Sequence, residues 1–167
     1  MNQQVRQLID LYELEPHPEG GFFRETYRSS EYFSATGLPD RYGADRSFST
    51  AIYYLLPGGA QSRLHRLKSD EFWHFYLGGP LELIRISPGG AVEEIALGHD
   101  ISSGQQLQHL VPAGCWFGAQ PMPESDFSFV GCTVSPGFDF SDFEMGDRDR
   151  LIKLFPAART IIDRLTK

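Results

Sequence analysis

The sequence predicts a mainly β domain, a sandwich or barrel of short strands with short helices at both ends. Glycine and proline recur at close intervals along the middle of the chain, which has 17 Gly and 11 Pro in all. The stretches between these turns are rich in β-branched and aromatic residues, and aromatics make up 13% of the chain. At 167 residues the chain has the length of one domain, so we expect a single domain over residues 1–167.

Helical periodicity is found near the two ends of the chain. Val5, Leu8, Ile9 and Tyr12 recur at helical spacing, which predicts a helix over about residues 3–14. A helical tail is predicted over about residues 146–167, with one helix over 148–155 and Pro156 either ending it or starting a final helix. The barrel then occupies about residues 20–140.

The barrel region divides into eight predicted strands. They cover residues 22–28, 48–56, 71–77, 81–87, 92–97, 106–111, 115–119 and 127–134, with a loop at 34–46. Alternation along the first strand places Phe23, Glu25 and Tyr27 on one face. The other face would then carry Phe22, Arg24, Thr26 and Arg28.

Charge and cysteine content limit the partners and the compartment. The net charge of −7 argues against nucleic acid or a membrane surface as a partner. No segment approaches the ~20 apolar residues of a membrane span, and the first ten residues do not have the pattern of a signal peptide. Cys115 and Cys132 lie in apolar stretches typical of buried, reduced thiols. We therefore expect a cytoplasmic protein.

One spacing in the centre of the chain is typical of a metal-binding β-barrel motif. Gly59, His65, Glu71 and Gly78 fall at the expected intervals, but Leu67 stands where a second histidine is expected. In the second half of the motif, Phe117 stands in place of the last histidine. A catalytic metal normally has at least three protein ligands, so His65 and Glu71 alone predict no metal site and no cofactor. A metal-dependent enzyme stays an alternative if His74 or His17 replaces a lost ligand.

These motifs, together with longer segments at residues 16–28, 69–76, 111–114 and 135–140, resemble the cupin superfamily and, within it, the cupin-5 family of unknown function. The resemblance implies a double-stranded jelly-roll barrel with a small-molecule ligand in its lumen. It also implies a homodimer, because cupins of this kind commonly pair through strands or sheets.

The resemblance also suggests roles for single residues. Metal-free cupins that epimerise nucleotide-linked keto sugars use a lumenal histidine as base and a tyrosine as acid. By analogy His65 would be the base, Glu71 would orient it, and Tyr27 or Tyr53 would be the acid. Arg24 or Arg28 would grip an anion. The simpler interpretations stay open: a solvent-exposed loop histidine, a solvated arginine face and tyrosines that only form walls.

Three further aromatic residues are candidates for ligand contacts. Trp116 and Phe117 would form an apolar or stacking surface where the metal ligands are missing. His74 is three residues from Glu71 on the same strand, so it faces the other side unless a bulge intervenes. The leading hypothesis is thus a metal-independent isomerase or epimerase acting on a carbohydrate or nucleotide-sugar ligand. A non-catalytic metabolite sensor and a scaffold protein are the alternatives.

Overall fold

The computed structural model describes residues 2–123 and 125–166. Three α-helices are formed within them: α1 (Gln3–Tyr12), α2 (Arg148–Leu154) and α3 (Arg159–Leu165). The strands are β1 (Glu15–Pro16), β2 (Phe22–Arg28), β3 (Tyr32–Phe33), β4 (Arg46–Ser47), β5 (Thr50–Pro57), β6 (Ser62–Arg66), β7 (Asp70–Gly78), β8 (Leu81–Ile86), β9 (Val92–Leu97), β10 (Gln108–Val111), β11 (Trp116–Pro121), β12 (Phe127–Ser135) and β13 (Glu144–Met145).

Two antiparallel sheets face each other as a jelly roll. The larger has the order β1–β2–β5–β12–β7–β10, and the smaller has the order β13–β6–β11–β8–β9. Strands that are neighbours in a sheet are mostly distant in sequence, because the chain crosses repeatedly between the sheets. The prediction of a mainly β jelly-roll barrel with short terminal helices is confirmed.

The outer face of each sheet is covered in part by helices. Helix α1 lays Val5 against Leu55, Phe127 and Phe129 on the larger sheet. Helices α2 and α3 cover the smaller sheet, where Trp116 belongs to an apolar cluster with side chains of both helices. A third cluster, which includes Trp73 and Phe117, fills the space between the sheets. Both sheets therefore carry apolar residues on both faces.

The helix ends follow local capping chemistry. The Asn2 side chain accepts a hydrogen bond from the Gln4 N–H at 2.7 Å and starts α1. Glu13 adopts a left-handed conformation with φ 51°, so α1 ends at Tyr12, two residues before the predicted end. Pro156 begins a short 3₁₀ turn that separates α2 from α3, in agreement with the predicted break.

The structure corrects the strand assignments in three places. Residues 62–66, to which no strand was assigned, form β6. The segment 34–46, expected to be a loop, leads into the short strand β4, which pairs with β3. Glu144–Met145 adds an edge strand beside β6. No helix in the described residues is long and apolar enough to cross a membrane.

Candidate functional site

A cavity of about 220 Å³ lies between the two sheets, and we call it the lumenal cavity. Its walls include the buried side chains of Tyr54, His65, Glu71 and Cys132. The exposed rim is formed by Glu25, Arg28, Asp139 and Phe140. The cavity thus combines an apolar wall with several titratable groups.

His65 is held on β6 with both ring nitrogens engaged. Its side chain is almost fully buried, and the ring packs against Phe117 with 4.1 Å between centroids. Nδ1 lies 2.7 Å from the Arg63 carbonyl oxygen. Because a carbonyl only accepts hydrogen bonds, Nδ1 carries a proton and donates it there. Nε2 lies 3.1 Å from Glu19 Oε2.

His65 and Glu19 share a proton. Two lone pairs would repel at this distance, so one proton lies between Nε2 and Oε2, on the imidazole or on the carboxyl. Glu19 Oε1 accepts a further hydrogen bond from the Ser62 hydroxyl at 2.8 Å. We call this unit the Glu19–His65 pair. The sequence had suggested Glu71 as the partner that orients His65, and the structure places Glu19 there instead.

Glu19 reaches the cavity because the turn before β2 lies directly against β6. The Arg63 N–H donates to the Glu19 carbonyl oxygen at 3.0 Å. At Gly20, φ is +122° and a Cβ would come within 2.0 Å of the Gln61 carbonyl oxygen, so only glycine allows this approach. The Glu19-Gly20-Gly21 run was the available signal in the sequence, but a loop glutamate has no periodicity that would predict its direction.

Glu71 is the second buried carboxyl group of the cavity. It is 6% exposed, and its strand neighbour in register on β12 is Val134. Burial, and then the negative charge of Glu19, raise the pKa of Glu71 to about 8, while the Cys132 thiol opposes this by hydrogen bonding. Glu71 is therefore protonated in the empty cavity at neutral pH. The prediction that this side chain faces the lumen is confirmed.

His17 also enters the cavity, beside Glu19. Its Nδ1 accepts a hydrogen bond from the Glu19 N–H at 3.3 Å. Its ring lies edge-on to Phe23 with 4.6 Å between centroids. Burial lowers the pKa of His17, with Glu19 opposing and His65 adding to the shift. His17 is thus a neutral imidazole near neutral pH.

A bulge in β2 decides which of its residues face the cavity. Glu25 pairs with Ile52 and Tyr27 with Ala51, so Thr26 is an extra residue between them. The bulge brings Arg28 to the same face as Phe23 and Glu25, and turns Tyr27 away. The alternation predicted for β2 was therefore wrong beyond Glu25.

The two arginines have different surroundings as a result. Arg28 lies on the cavity rim and binds the Glu25 carboxylate with Nε and NH2, at 2.9 and 2.7 Å. It also donates to the Phe138 carbonyl oxygen at 3.1 Å. Arg24 lies outside the cavity, with NH2 3.2 Å from Glu13. Of the two arginines predicted to grip an anion, Arg28 lines the cavity and Arg24 does not.

The two tyrosines predicted to face the lumen both lie outside it. Tyr27 is 54% exposed, and Tyr53 packs against Tyr12 of α1 at 4.8 Å between ring centroids. The neighbouring Tyr54 lines the cavity instead and donates to the Gly20 carbonyl oxygen at 2.7 Å. Burial raises the pKa of Tyr54 well above its usual value, which makes it a poor acid.

The remaining aromatic candidates divide between the two faces of their strands. Phe117 lies inside the barrel beneath His65, as predicted. Trp116 faces the helical side, where Arg66 lies 4.7 Å above its ring, so its predicted lumenal position was wrong. His74 lies on the outer face of β7, where it stacks on Phe72 and contacts the Thr133 hydroxyl at 3.2 Å. The parity argument for His74 is confirmed, and its assignment to a lumenal ligand site was wrong.

Comparison with known proteins now decides the family. The family model described as the Cupin superfamily (DUF985) matches residues 6–146. This chain belongs to that family. The uncharacterised protein YML079W of Saccharomyces cerevisiae is 32% identical over 148 residues, which cover 83% of this chain and 73% of the yeast protein.

Solved structures agree with this assignment. Protein SO0799 from Shewanella oneidensis has a TM-score of 0.87 and 38% identity, with 100% of this chain and 98% of that chain covered. A hypothetical protein from Leishmania major has a TM-score of 0.88 and 32% identity, with coverage of 96% and 97%. Oxalate decarboxylase from Bacillus subtilis shares the fold at a TM-score of 0.55, but at 16% identity, with 90% of this chain and 36% of that chain covered.

The cavity of this cupin does not fit the metal site of metal-binding cupins. Leu67 presents an apolar wall to the cavity, and Phe117 packs on the His65 ring. His74 cannot act as the substitute ligand because it lies on the outer face of β7. In the described residues no group of three or more His, Cys, Asp or Glu side chains is arranged to hold a metal ion. We therefore derive no chemistry through a metal.

Proposed function

We propose that this cupin binds a small molecule in the lumenal cavity and exchanges a proton with it through the Glu19–His65 pair. The observation that carries the proposal is the 3.1 Å contact between His65 Nε2 and Glu19 Oε2 in the lumenal cavity, beside its apolar wall. Perturbed and coupled titratable groups in a cavity are typical of functional sites. The reaction class would be proton transfer, as in an isomerase or epimerase.

Glu19 is the group of the pair that would touch the ligand. The His65 nitrogens are both occupied, and an imidazole nitrogen has a single site for a proton or a hydrogen bond. A carboxylate oxygen has two lone pairs, so Glu19 can accept from the ligand while it keeps its contacts to His65 and Ser62. His65 would then be a positioning residue that supplies or withdraws the shared proton.

The volume limits the ligand. A cavity of about 220 Å³ is smaller than the roughly 300–1,000 Å³ of sites for drug-sized ligands. A ligand enclosed here would be of monosaccharide size or smaller. A whole nucleotide sugar would extend beyond the rim, and Arg28 is already committed to Glu25 and Phe138.

A non-catalytic sensor is the second candidate, favoured by the engagement of the polar atoms of Tyr54 and His65. Tyr54 donates its proton to a backbone carbonyl, and both nitrogens of His65 are in use. Such a site can recognise a ligand without moving a proton. Catalysis and recognition therefore have to be separated by experiment.

The test is a thermal-shift screen followed by an exchange assay. Wild type, Glu19→Gln, His65→Ala and the exposed control Glu13→Gln are screened against neutral sugars, small ketones, amines and carboxylic acids, because a ligand that prefers the folded state stabilises it. Hits are then incubated in D₂O, and exchange of their C–H protons is followed by NMR. We expect exchange in wild type and Glu13→Gln, and its loss in Glu19→Gln with binding retained.

Other outcomes of this test contradict one of the two functions. Binding without exchange in wild type would remove the enzyme and leave the sensor. Exchange that is as fast in Glu19→Gln as in wild type would contradict proton transfer through the Glu19–His65 pair, and the absence of binding by every ligand class would contradict both functions.

We also propose that the protein is a homodimer that pairs through the uncovered part of the larger sheet. Tyr27, Ala51, Thr133 and Phe72 follow one another across that face in register. Tyr27 and Phe72 are 54% and 39% exposed, so both add apolar area to this face. Sedimentation should give a dimer for wild type and a monomer for Phe72→Glu. The exposed Leu154→Glu on α2 is the matched control, and a monomeric wild type would contradict the proposal.

We also propose that the protein is cytoplasmic. Cys115 and Cys132 are both buried and unpaired in disulfides, which suits a reducing compartment. Fractionation of cells that express the chain would test this, and recovery with secreted or membrane material would contradict it.

A further inference from the structure

More carboxyl groups than basic groups line the lumenal cavity. Four carboxyl groups line it, Glu19, Glu25, Glu71 and Asp139, and Arg28 is the one arginine or lysine among the lining residues that the structure describes. An anionic ligand would therefore meet carboxylates with few cations to receive it. The question is which of these charges a ligand can use.

Three of the four carboxyl groups already have partners. Glu25 binds Arg28 through two hydrogen bonds, and Glu19 shares a proton with His65. Asp139 accepts from the backbone N–H and the hydroxyl of Ser141, at 2.8 and 2.6 Å. These hydrogen bonds hold the pKa of Asp139 below its usual value, with Arg46 and Arg28 adding to the effect. Each of these three groups is satisfied without a ligand.

Glu71 is different. More than nine-tenths of it is buried, it faces the cavity, and among the described residues no arginine, lysine or histidine lies within ion-pair distance of it. Its neighbour is the thiol of Cys132, a weak hydrogen-bond donor. A buried carboxyl group without a cation is costly to keep, and packing alone would favour an apolar residue here.

The walls of the lumenal cavity are suited to a positive charge. Phe23, Phe138, Phe140 and Phe143 line the cavity, and the last three lie edge-on to one another with centroids 4.9 to 6.2 Å apart. Aromatic faces attract organic cations, and they do so most strongly where water is excluded. A carboxylate and several phenylalanine rings in one small cavity form a site of this kind.

We propose that the ligand of the lumenal cavity is a small protonated amine, of sugar size or less, and that Glu71 is its counter-ion. This inference rests on the proposed function, since it names the chemical class of the ligand for the same cavity. The amine would replace the proton that Glu71 holds in the empty cavity. Binding of one cation would then release one proton to solvent.

The proton release gives the affinity a defined pH dependence. Glu71 holds its proton up to a pKa of about 8, whereas an alkyl amine stays protonated to about pH 10. Below pH 8 the cation must displace the proton, so affinity should fall roughly tenfold for each unit of decreasing pH. The other titratable groups that line the cavity are His17, Glu19, Glu25, Arg28, Tyr54, His65, Cys132 and Asp139.

The charges of the other lining groups also act on a bound cation. Their contribution is removed by comparison with a variant that lacks only the Glu71 carboxylate. Glu71→Gln is such a variant, because glutamine keeps the size and loses the charge.

The experiment is calorimetry with three probes of similar shape: cyclohexylamine, cyclohexanol and cyclohexanecarboxylate. Titrations in two buffers with different ionisation enthalpies count the protons released. We expect cyclohexylamine to bind wild type at pH 8 at least about tenfold more tightly than cyclohexanol, with close to one proton released at pH 7. Glu71→Gln should lose both the preference and the release. The exposed control Glu94→Gln on β9 should keep both.

The results separate this inference from the proposed function. If cyclohexanol or cyclohexanecarboxylate binds as well as the amine, or if Glu71→Gln keeps the preference, the inference is overturned while the binding cavity stands. If none of the probes binds at any pH, the inference is overturned, and the thermal-shift screen decides separately whether the cavity binds another ligand. Circular dichroism checks the fold of Glu71→Gln. Should that variant not fold, the pH slope and proton count of wild type decide alone, and a flat slope without release overturns the inference.

Discussion

The two sides of strand β6 bury very different residues, although they are adjacent in sequence. Leu64 faces helices α2 and α3, in a cluster whose buried members are all apolar. His65 faces the lumen, together with Glu19, Glu71 and Cys132. The helical side is packed for stability alone. The lumenal side keeps buried groups that cost free energy, which is a reason to expect that they serve a ligand.

The comparison extends to the larger sheet. On β5, Tyr53 and Leu55 pack under α1, whereas Ile52 and Tyr54 line the cavity. Each strand in the middle of the barrel therefore has one face on which substitutions should lower the free energy of unfolding. Substitutions on its other face should change binding or pH dependence. The following predictions test this division.

The largest effect on stability should come from the helical side. Leu64 is 0% exposed, so Leu64→Ala leaves a cavity under α2 and α3 and should lower the free energy of unfolding by about 2–5 kcal/mol. Binding of cavity probes by the folded fraction should be unchanged. Urea unfolding measures the first and calorimetry the second. The exposed Leu154→Ala is the control, and a loss under about 1 kcal/mol would contradict the division.

On the lumenal side, the larger effect should be on pH dependence. The pKa of Glu71 is raised from 4.5 to about 8, so the folded protein binds more protons than the unfolded chain between these values. This contribution to stability is complete below about pH 4.5 and is lost as pH rises to about 8. The loss reaches the order of 3 kcal/mol at pH 7.

Glu71→Gln removes this titration. The free energy of unfolding of the variant, relative to wild type, should rise from pH 5 to pH 8. Urea unfolding of both proteins across this range measures the difference, and Glu94→Gln serves as the control. Parallel curves for wild type and Glu71→Gln would show that Glu71 is ionised in the folded protein and would contradict the assignment.

The contrast between faces also explains which residues could be predicted from the sequence. His65 and Glu71 were found because family spacing places them. Alternation indicated that His74 faces away from the lumen, although it was still kept as a candidate for ligand contacts. The predicted directions of Tyr53 and Trp116 were wrong because both faces of their strands are apolar, one under a helix and one in the barrel. Where both faces are buried, the pattern of polar and apolar residues does not indicate on which face of the strand a side chain lies.

Two other differences between the prediction and the structure have different physical causes. Tyr27 and Arg28 lie on the faces opposite to those predicted because Thr26 forms a bulge. A single extra residue of this kind cannot be recognised from the amino-acid composition. Glu19 lies in a turn whose direction is set by a contact with Gln61, forty-odd residues further along the chain. Such tertiary contacts override any local signal. The fold was therefore more predictable than the site.

The smallest effect should distinguish the neighbouring tyrosines of β5. Tyr54→Phe removes the hydroxyl that donates to the Gly20 carbonyl oxygen at 2.7 Å, and should cost about 1–2 kcal/mol because that buried acceptor loses its donor. The same hydrogen bond fixes the turn that carries Glu19, so the variant should also bind cavity probes more weakly. Tyr53→Phe is the matched control and should change stability by less than about 0.5 kcal/mol. Equal effects of the two substitutions on probe binding would mean that backbone contacts to β6 alone hold the turn. They would also mean that the two faces of β5 do not differ in their effect on ligand binding.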